Sequence, residues 1–241
     1  MAELVVALDA PDAASALELA RGLRGLAPWV KVGLELFTAE GPRMVGELKG
    51  MGFSVFLDLK FLDIPNTVRG AVHSATRLGA DMLTLHVLGG ERMAQAAIQG
   101  RQEGLDGGRG PLLMGVTLLT SMASGELPLG AGADPAALVL DLSTKAEHYR
   151  MDGIVCSGQE VAEVRRECGP GLRCLTPGIR PAGTDAQDQR RAVTPAAAVA
   201  AGADYLVVGR PITAAKDPAA AAQAILDEMA GASEAEADFG M

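Results

Sequence analysis

Apolar positions along the chain follow two rhythms that alternate from one end to the other. Runs such as "LVVALD", "WVKVGLEL", "SVFLDLK", "MLTLHVL", "LLMGVTLL", "GIVCSG", "RCLTPGI" and "YLVVGR" are short and dense in apolar residues. Runs of that length and density mark strands covered on both faces. Between them lie stretches such as "DAASALELARGLRGL", "GPRMVGELKGMG" and "DPAALVLDLSTKAEHYR", whose apolar residues recur at helical spacing. Eight strand-helix alternations predict an α/β chain closed into a single (β/α)8 TIM barrel over residues 1–230. An open doubly wound sheet is the structural alternative, and the absence of a GxGxxG after the first strand counts against its dinucleotide-binding form. The final "GASEAEADFGM", residues 231–241, is small, acidic and aperiodic, and is expected to be a disordered tail.

Two segments break the short-loop pattern: "TSMASGELPLGAGADP" after the fifth strand and "RPAGTDAQDQRRAVTP" after the seventh. Long connections inside a compact domain are usually functional or disordered. On a barrel both rise from the C-terminal face of the strands, where barrel active sites lie. They are candidate lids.

Parity along the strands carries the chemistry. In "VVALD", Val5, Ala7 and Asp9 share a face, and in "VFLDLK" Phe56, Asp58 and Lys60 do. Lys31 lies in the second strand, so four charges converge on the barrel mouth. Burying them is costly unless they pair with one another. Each alone has a plain structural reading as part of a barrel ion pair. Asp63, just past the third strand and ahead of Pro65, reads equally as a residue favouring a helix start. Together Asp58, Lys60 and Asp63 form an alternating acid-base-acid group. Flanking carboxylates favour the charged form of a lysine, so Lys60 is read as an ammonium. It would be a poor nucleophile, but a good electrostatic partner and proton donor for a developing carbanion.

A second cluster closes the chain. "TPGIRP" and "VVGRPI" end the seventh and eighth strands, each with a Gly followed closely by Arg, namely Arg180 and the Gly209–Arg210 pair. Small residues let backbone N–H groups approach an anion, and Arg supplies a fork of donors. Barrels often bind phosphate between these two loops, and Gln189 is placed to reach the same anion. Thr120 and Ser121 open the loop after the fifth strand, where their hydroxyls could read a planar heterocycle. His86 lies inside a strand on the parity of Thr84 and is expected to be a hydrogen-bonded support. His73 and His148 fall on helices. No zinc spacing and no Ser-His-Asp arrangement is visible.

Composition narrows the classes. With 241 residues, 49% of them hydrophobic, the chain can build one large core. A net charge of −9 excludes a basic stripe for duplex nucleic acid but leaves room for a small anion. No apolar run reaches a membrane span. "MAELVVALDAPD" reads as a first strand rather than a signal peptide. Three cysteines without metal spacing fit reduced thiols and a cytoplasmic location.

The stretch "DLKFLDIPNT" carries an Asp-x-Lys-x-x-Asp-Ile-Pro-Asn-Thr pattern. With "ALDAPD", "VKVGLELF", "LLTS", "TPGIRP" followed by a Gln nine residues after its Arg, and "VVGRPI", all in order, the chain resembles the bacterial orotidine 5′-monophosphate decarboxylases across residues 3 to 230. The resemblance implies a homodimeric barrel that converts orotidine 5′-monophosphate to UMP and CO2, in pyrimidine biosynthesis, without a metal or organic cofactor. It implies Lys60 as the catalytic lysine beside Asp58, with Lys31 completing the charged array. Asp63, Ile64 and Thr67 would enter the neighbouring subunit's site. Asp9 and Lys31 would contact ribose, Thr120 and Ser121 the pyrimidine side, and Arg180, Gln189, Gly209 and Arg210 the phosphate. Magnesium-dependent 3-keto-gulonate 6-phosphate decarboxylases and hexulose phosphate synthases share the third-strand pattern, but have a Glu metal ligand where this chain has Lys31. A non-catalytic phosphate-binding barrel is the rival outside enzymes.

Overall fold

In the computed structural model, residues 2–122, 134–181 and 191–239 are described, the side chains only as far as residue 232. The element order is β1 (Glu3–Ala7), α1 (Ala13–Gly22), β2 (Trp29–Gly33), α2 (Leu34–Glu40), α3 (Arg43–Gly50), β3 (Ser54–Phe61), α4 (Pro65–Arg77) and β4 (Met82–His86). It continues through a 3-10 turn (Val87–Gly89), α5 (Gly90–Gly104), β5 (Leu112–Val116), α6 (Pro135–His148), β6 (Gly153–Val155) and α7 (Val161–Cys168). The last elements are β7 (Arg173–Thr176), α8 (Pro195–Ala200), β8 (Tyr205–Val208), α9 (Arg210–Thr213) and α10 (Pro218–Phe239). The eight strands run parallel and close in sequence order into a barrel, β8 pairing back onto β1. This is the (β/α)8 architecture that the alternation predicts.

The side-chain period of two divides the core into two layers. Val5, Ala7, Phe56, Met82, Met114, Val155 and Val207 fill the barrel interior. Their neighbours Leu4, Val6, Leu57, Leu83, Leu113 and Leu206 pack outward under the helices. Trp29 and Tyr205 meet edge-on toward the N-terminal end, ring centroids 5.6 Å apart. Helix starts follow local chemistry. Asp12 accepts from Ser15 N–H at α1, Asp134 from Ala136 N–H ahead of Pro135 at α6, and Thr194 from Ala197 N–H ahead of Pro195 at α8.

At the N-terminal end the same device appears three times. Asp81, Asp152 and Asp204 each stand just before or at the start of an even-numbered strand. Each accepts, through one carboxylate oxygen, a backbone N–H of the preceding odd-numbered strand: Val55 at 2.7 Å, Leu113 at 2.8 Å and Cys174 at 2.7 Å. The same oxygen pairs with Lys49, Arg101 or Arg165. Each carboxylate therefore pins two adjacent strands and the helix or loop beneath them.

Several strands end earlier than the apolar runs suggest. β2 stops at Gly33, and the "LEL" that follows begins a helix; β4 stops at His86 and gives way to the 3-10 turn. Apolar density cannot tell a strand end from the first turn of a helix packed on the same core. At the other end of the chain, α10 keeps a helical backbone to Phe239, inside the segment 231–241 expected to be irregular. Its Ala and Glu residues are good helix formers. The greater part of both candidate lids, residues 123–133 and 182–190 with Gln189, lies outside the described residues.

Candidate active site at the barrel mouth

The four charged residues on or just beyond the first three strands form one continuous row. Lys31 Nζ stands 2.9 Å from Asp9 Oδ1 and 3.8 Å from Asp58 Oδ2, and Lys60 Nζ lies 2.8 Å from both Asp58 oxygens. Acid and base alternate, so each buried member has opposite charge beside it. Lys31 and Asp58 are 9% and 8% exposed, while Lys60 is half-buried and Asp9 faces solvent. Asp58 Oδ1 also accepts from the Thr84 hydroxyl at 2.9 Å.

The row borders two adjoining cavities. One, of about 230 Å³, has Lys31, Asp58, Lys60, Thr120 and Ser121 on its polar side and Phe56, Val116, Val155, Leu175 and Val207 on its apolar side. The second, of about 380 Å³, is lined by Asp9, Lys31, Gly178, Arg180, Gly209, Arg210 and Thr213. Lys31 belongs to both. Arg180 is buried, and its pKa is lowered by burial and then by the nearby Arg210 guanidinium. Two cations held this close favour an anion between them. The arrangement offers an apolar slot for a planar group beside an ammonium, next to a cup for a compact anion.

Comparison with known proteins agrees with this geometry. Residues 2–225 match the family model described as "Orotidine 5'-phosphate decarboxylase / HUMPS family". The chain belongs to this family. It is 59% identical to a protein named orotidine 5'-phosphate decarboxylase from Maridesulfovibrio salexigens, over 95% of this chain and 99% of that one. A namesake from Nitratidesulfovibrio vulgaris is also 59% identical, over 95% and 98%. Among solved structures, orotidine 5'-phosphate decarboxylase from Lactobacillus acidophilus superimposes with a TM-score of 0.82 at 37% identity, covering 95% of this chain and 99% of that one.

Not every residue singled out by the family pattern meets at the mouth. Asp63 and Ile64 are exposed on the turn from β3 into α4 and Thr67 is exposed in the first turn of α4, and none lines either cavity. The Asp63 carboxylate accepts the Ile64 N–H at 2.6 Å. Around this turn lies an exposed apolar set at the ends of three successive strands: Leu34, Leu62, Ile64 and Leu88 are 58%, 55%, 67% and 62% exposed. His86 corrects the expectation of a hydrogen-bonded support, because its Nδ1 is buried with no hydrogen-bond partner. Burial lowers its pKa, with Lys60 acting in the same direction and Asp58 against it.

Two features escape a reading of the sequence. Thr84 is one, its hydroxyl bonded to both Asp58 and the Lys60 backbone. The other is an ion pair between Glu160 and Arg191, 2.5 Å apart and 31 positions distant in the chain. Arg191 Nη2 donates to the Leu119 carbonyl at 3.2 Å, and the Arg191 carbonyl accepts from the Ser157 hydroxyl at 2.9 Å. Glu160 Oε2 accepts the Ser157 N–H. Burial raises the Glu160 pKa, with Arg191 opposing. A pair so desolvated contributes little net stability, but it joins the loops after β5, β6 and β7. Local sequence carries no sign of it.

Among the described residues, no group of three or more His, Cys, Asp or Glu side chains is placed to hold a metal ion. Among the same residues, no helix is long and apolar enough to cross a membrane.

Proposed function

We propose that this chain is a carboxy-lyase that decarboxylates orotidine 5′-monophosphate to UMP and CO2, a step of pyrimidine biosynthesis. The observation that carries the reading is the Asp9–Lys31–Asp58–Lys60 row set between an apolar slot and a two-arginine cup. The names of the family and of its similar members support the substrate. In this reading the pyrimidine lies in the apolar slot near Thr120 and Ser121. Ribose hydroxyls meet Asp9 and Lys31, and the phosphate meets Arg180, Gly209, Arg210 and Gln189.

The C6–carboxylate bond breaks with its electron pair left on C6, and CO2 departs. The ring offers that pair no ordinary sink. The Lys60 ammonium stabilises the charge where it develops and then delivers a proton to C6; solvent restores the lysine. Asp58 holds the ammonium in place before the charge appears, so little reorganisation is needed during reaction. Phosphate contacts remote from C6 help organise the site. No metal or organic cofactor enters this scheme. Lys31 stands where a metal-dependent relative would need an anionic ligand, and its charge disfavours a divalent cation there.

The active unit in this reading is a homodimer in which Asp63, with Ile64 and Thr67, reaches the partner's site. The exposed position of Asp63 and the apolar set around it support this, since a two-fold interface makes such donation reciprocal. The test is loss of substrate absorbance with orotidine 5′-monophosphate, with and without EDTA. Turnover unaffected by the chelator is expected. Turnover abolished by EDTA would favour the metal-dependent relatives, and phosphate-dependent binding without turnover would favour a sensor.

A further inference from the structure

Lys60 holds a left-handed backbone, with φ at +51°, a conformation that side chains bearing a Cβ rarely adopt. The strain coincides with an irregularity in the sheet. Leu57 pairs with Leu83 and Phe61 with Leu85, so four steps along β3 are matched by two along β4. On the β4 side the extra length takes Asp58 and Lys60 out of the regular ladder, while Asp58 stays paired with Gly33 of β2. Thr84 is the β4 residue between the two matched positions, and it is fully buried.

Its hydroxyl accepts the Lys60 N–H at 3.0 Å and donates to Asp58 Oδ1 at 2.9 Å. A hydroxyl has one proton to give, and here it goes to the carboxylate while a lone pair takes the amide. A single oxygen thus fixes the backbone of the lysine and the side chain of the acid that grips its ammonium. Two residues earlier on the same strand and face, β4 carries the apolar Met82, and Thr84 is aligned with Met114 of β5. Packing alone would be served there by an apolar side chain.

We propose that Thr84 is a positioning residue for the decarboxylation: it holds Lys60 in its left-handed conformation and orients Asp58, so that the ammonium is aimed at the reacting carbon. This rests on the reading of Lys60 as proton donor. Thr84→Val keeps the shape of the side chain and removes the hydroxyl; Thr84→Ser keeps the hydroxyl and removes the methyl. In the valine variant, kcat should fall roughly tenfold to a hundredfold, the scale of an ångström-level misplacement. KM and the affinity for UMP by calorimetry should stay within about threefold, because the anion cup is untouched. The serine variant should recover most of kcat. A crystal structure of the valine variant should show Lys60 φ moved to negative values.

Wild-type kcat in a folded valine variant overturns the proposal, as does equal loss in the serine and valine variants, or an unchanged Lys60 φ. Should the valine variant fail to fold, Thr84→Ala replaces it in the same comparison. If the wild-type protein itself does not decarboxylate orotidine 5′-monophosphate, the functional reading fails. The crystallographic arm then still decides whether Thr84 sets the Lys60 backbone.

Discussion

Replacing Asp152 with alanine should weaken the fold and leave the chemistry alone. One oxygen of this carboxylate accepts the Leu113 N–H at 2.8 Å and also pairs with Arg101. Both ionic partners are mostly buried, 26% and 20% exposed. Its loss strands a buried amide, at a cost of about 1–3 kcal/mol. The guanidinium loses its carboxylate but keeps the Pro111 carbonyl at 3.2 Å, so the ionic part adds only about 1 kcal/mol. A total of about 2–4 kcal/mol corresponds to a fall in Tm of about 4–16 °C for a chain of this size. Asp152 lies at the N-terminal end of the strands, and the charged row lies at the C-terminal end, so kcat at 25 °C should stay within about twofold of wild type. Urea unfolding with parallel steady-state kinetics measures both. Arg101→Met is the internal control and should cost less, because Asp152 still takes the Leu113 amide. A variant within about 0.5 kcal/mol of wild type would refute the pin. A large drop in kcat with stability unchanged would refute the separation of the two ends.

The other predictions concern the mouth. Lys60→Ala should abolish turnover while UMP still binds in calorimetry; near-wild-type kcat would remove Lys60 as proton donor. Arg210→Ala should weaken substrate chiefly through its phosphate, so the defect should shrink for the phosphate-free nucleoside, and equal losses would argue against that contact. Mixing Lys60→Ala with Asp63→Ala subunits, unfolding and reassembling them should restore roughly a quarter of the sites, since each random heterodimer has one site without either defect. Activity no higher than that of the separate variants, with exchange confirmed by mass, would place Asp63 in its own chain's site. His86 has a pKa below its usual 6.5 in the folded protein, so the unfolded chain takes up the proton first on acidification. Its contribution to stability is complete above that value and is lost as pH falls from it through the lower pKa of the folded protein. His86→Gln should flatten the urea-midpoint profile between about pH 7 and 5.

Much of the architecture is written in periodicities. The strand-helix alternation predicts eight strands, and parity places Val5, Ala7 and Phe56 inside the barrel and Asp58 at its mouth, as found. What parity misses is the departure from parity itself. An ideal strand would aim Lys60 by its position alone, but its left-handed φ coincides with four steps along β3 matched by two along β4. Sequence spacing along β3 cannot express a constraint imposed by Thr84, 24 positions away. The Glu160–Arg191 pair is invisible for the same reason, because its members lie 31 positions apart and the one local partner of Glu160, the Ser157 N–H, does not point to Arg191. His86 shows the converse error. A polar residue inside a strand suggested a satisfied hydrogen bond, and its Nδ1 has none.

The row of four charges has one further consequence, for how a ligand arrives. Two acids alternating with two bases sum to zero, so the field of the row fades over little more than its own spacing. The chain as a whole carries −9, and beyond the Debye length of about 8–10 Å even that is largely screened. A diffusing anion therefore receives little guidance from the residues that would act on its carbon. The adjoining cup, where Arg180 and Arg210 stand near each other, offers the local attraction. In the proposed reading, encounter then has a direction built into it: the phosphate end meets the cup first, and the neutral row is felt only once the ring is already within the slot.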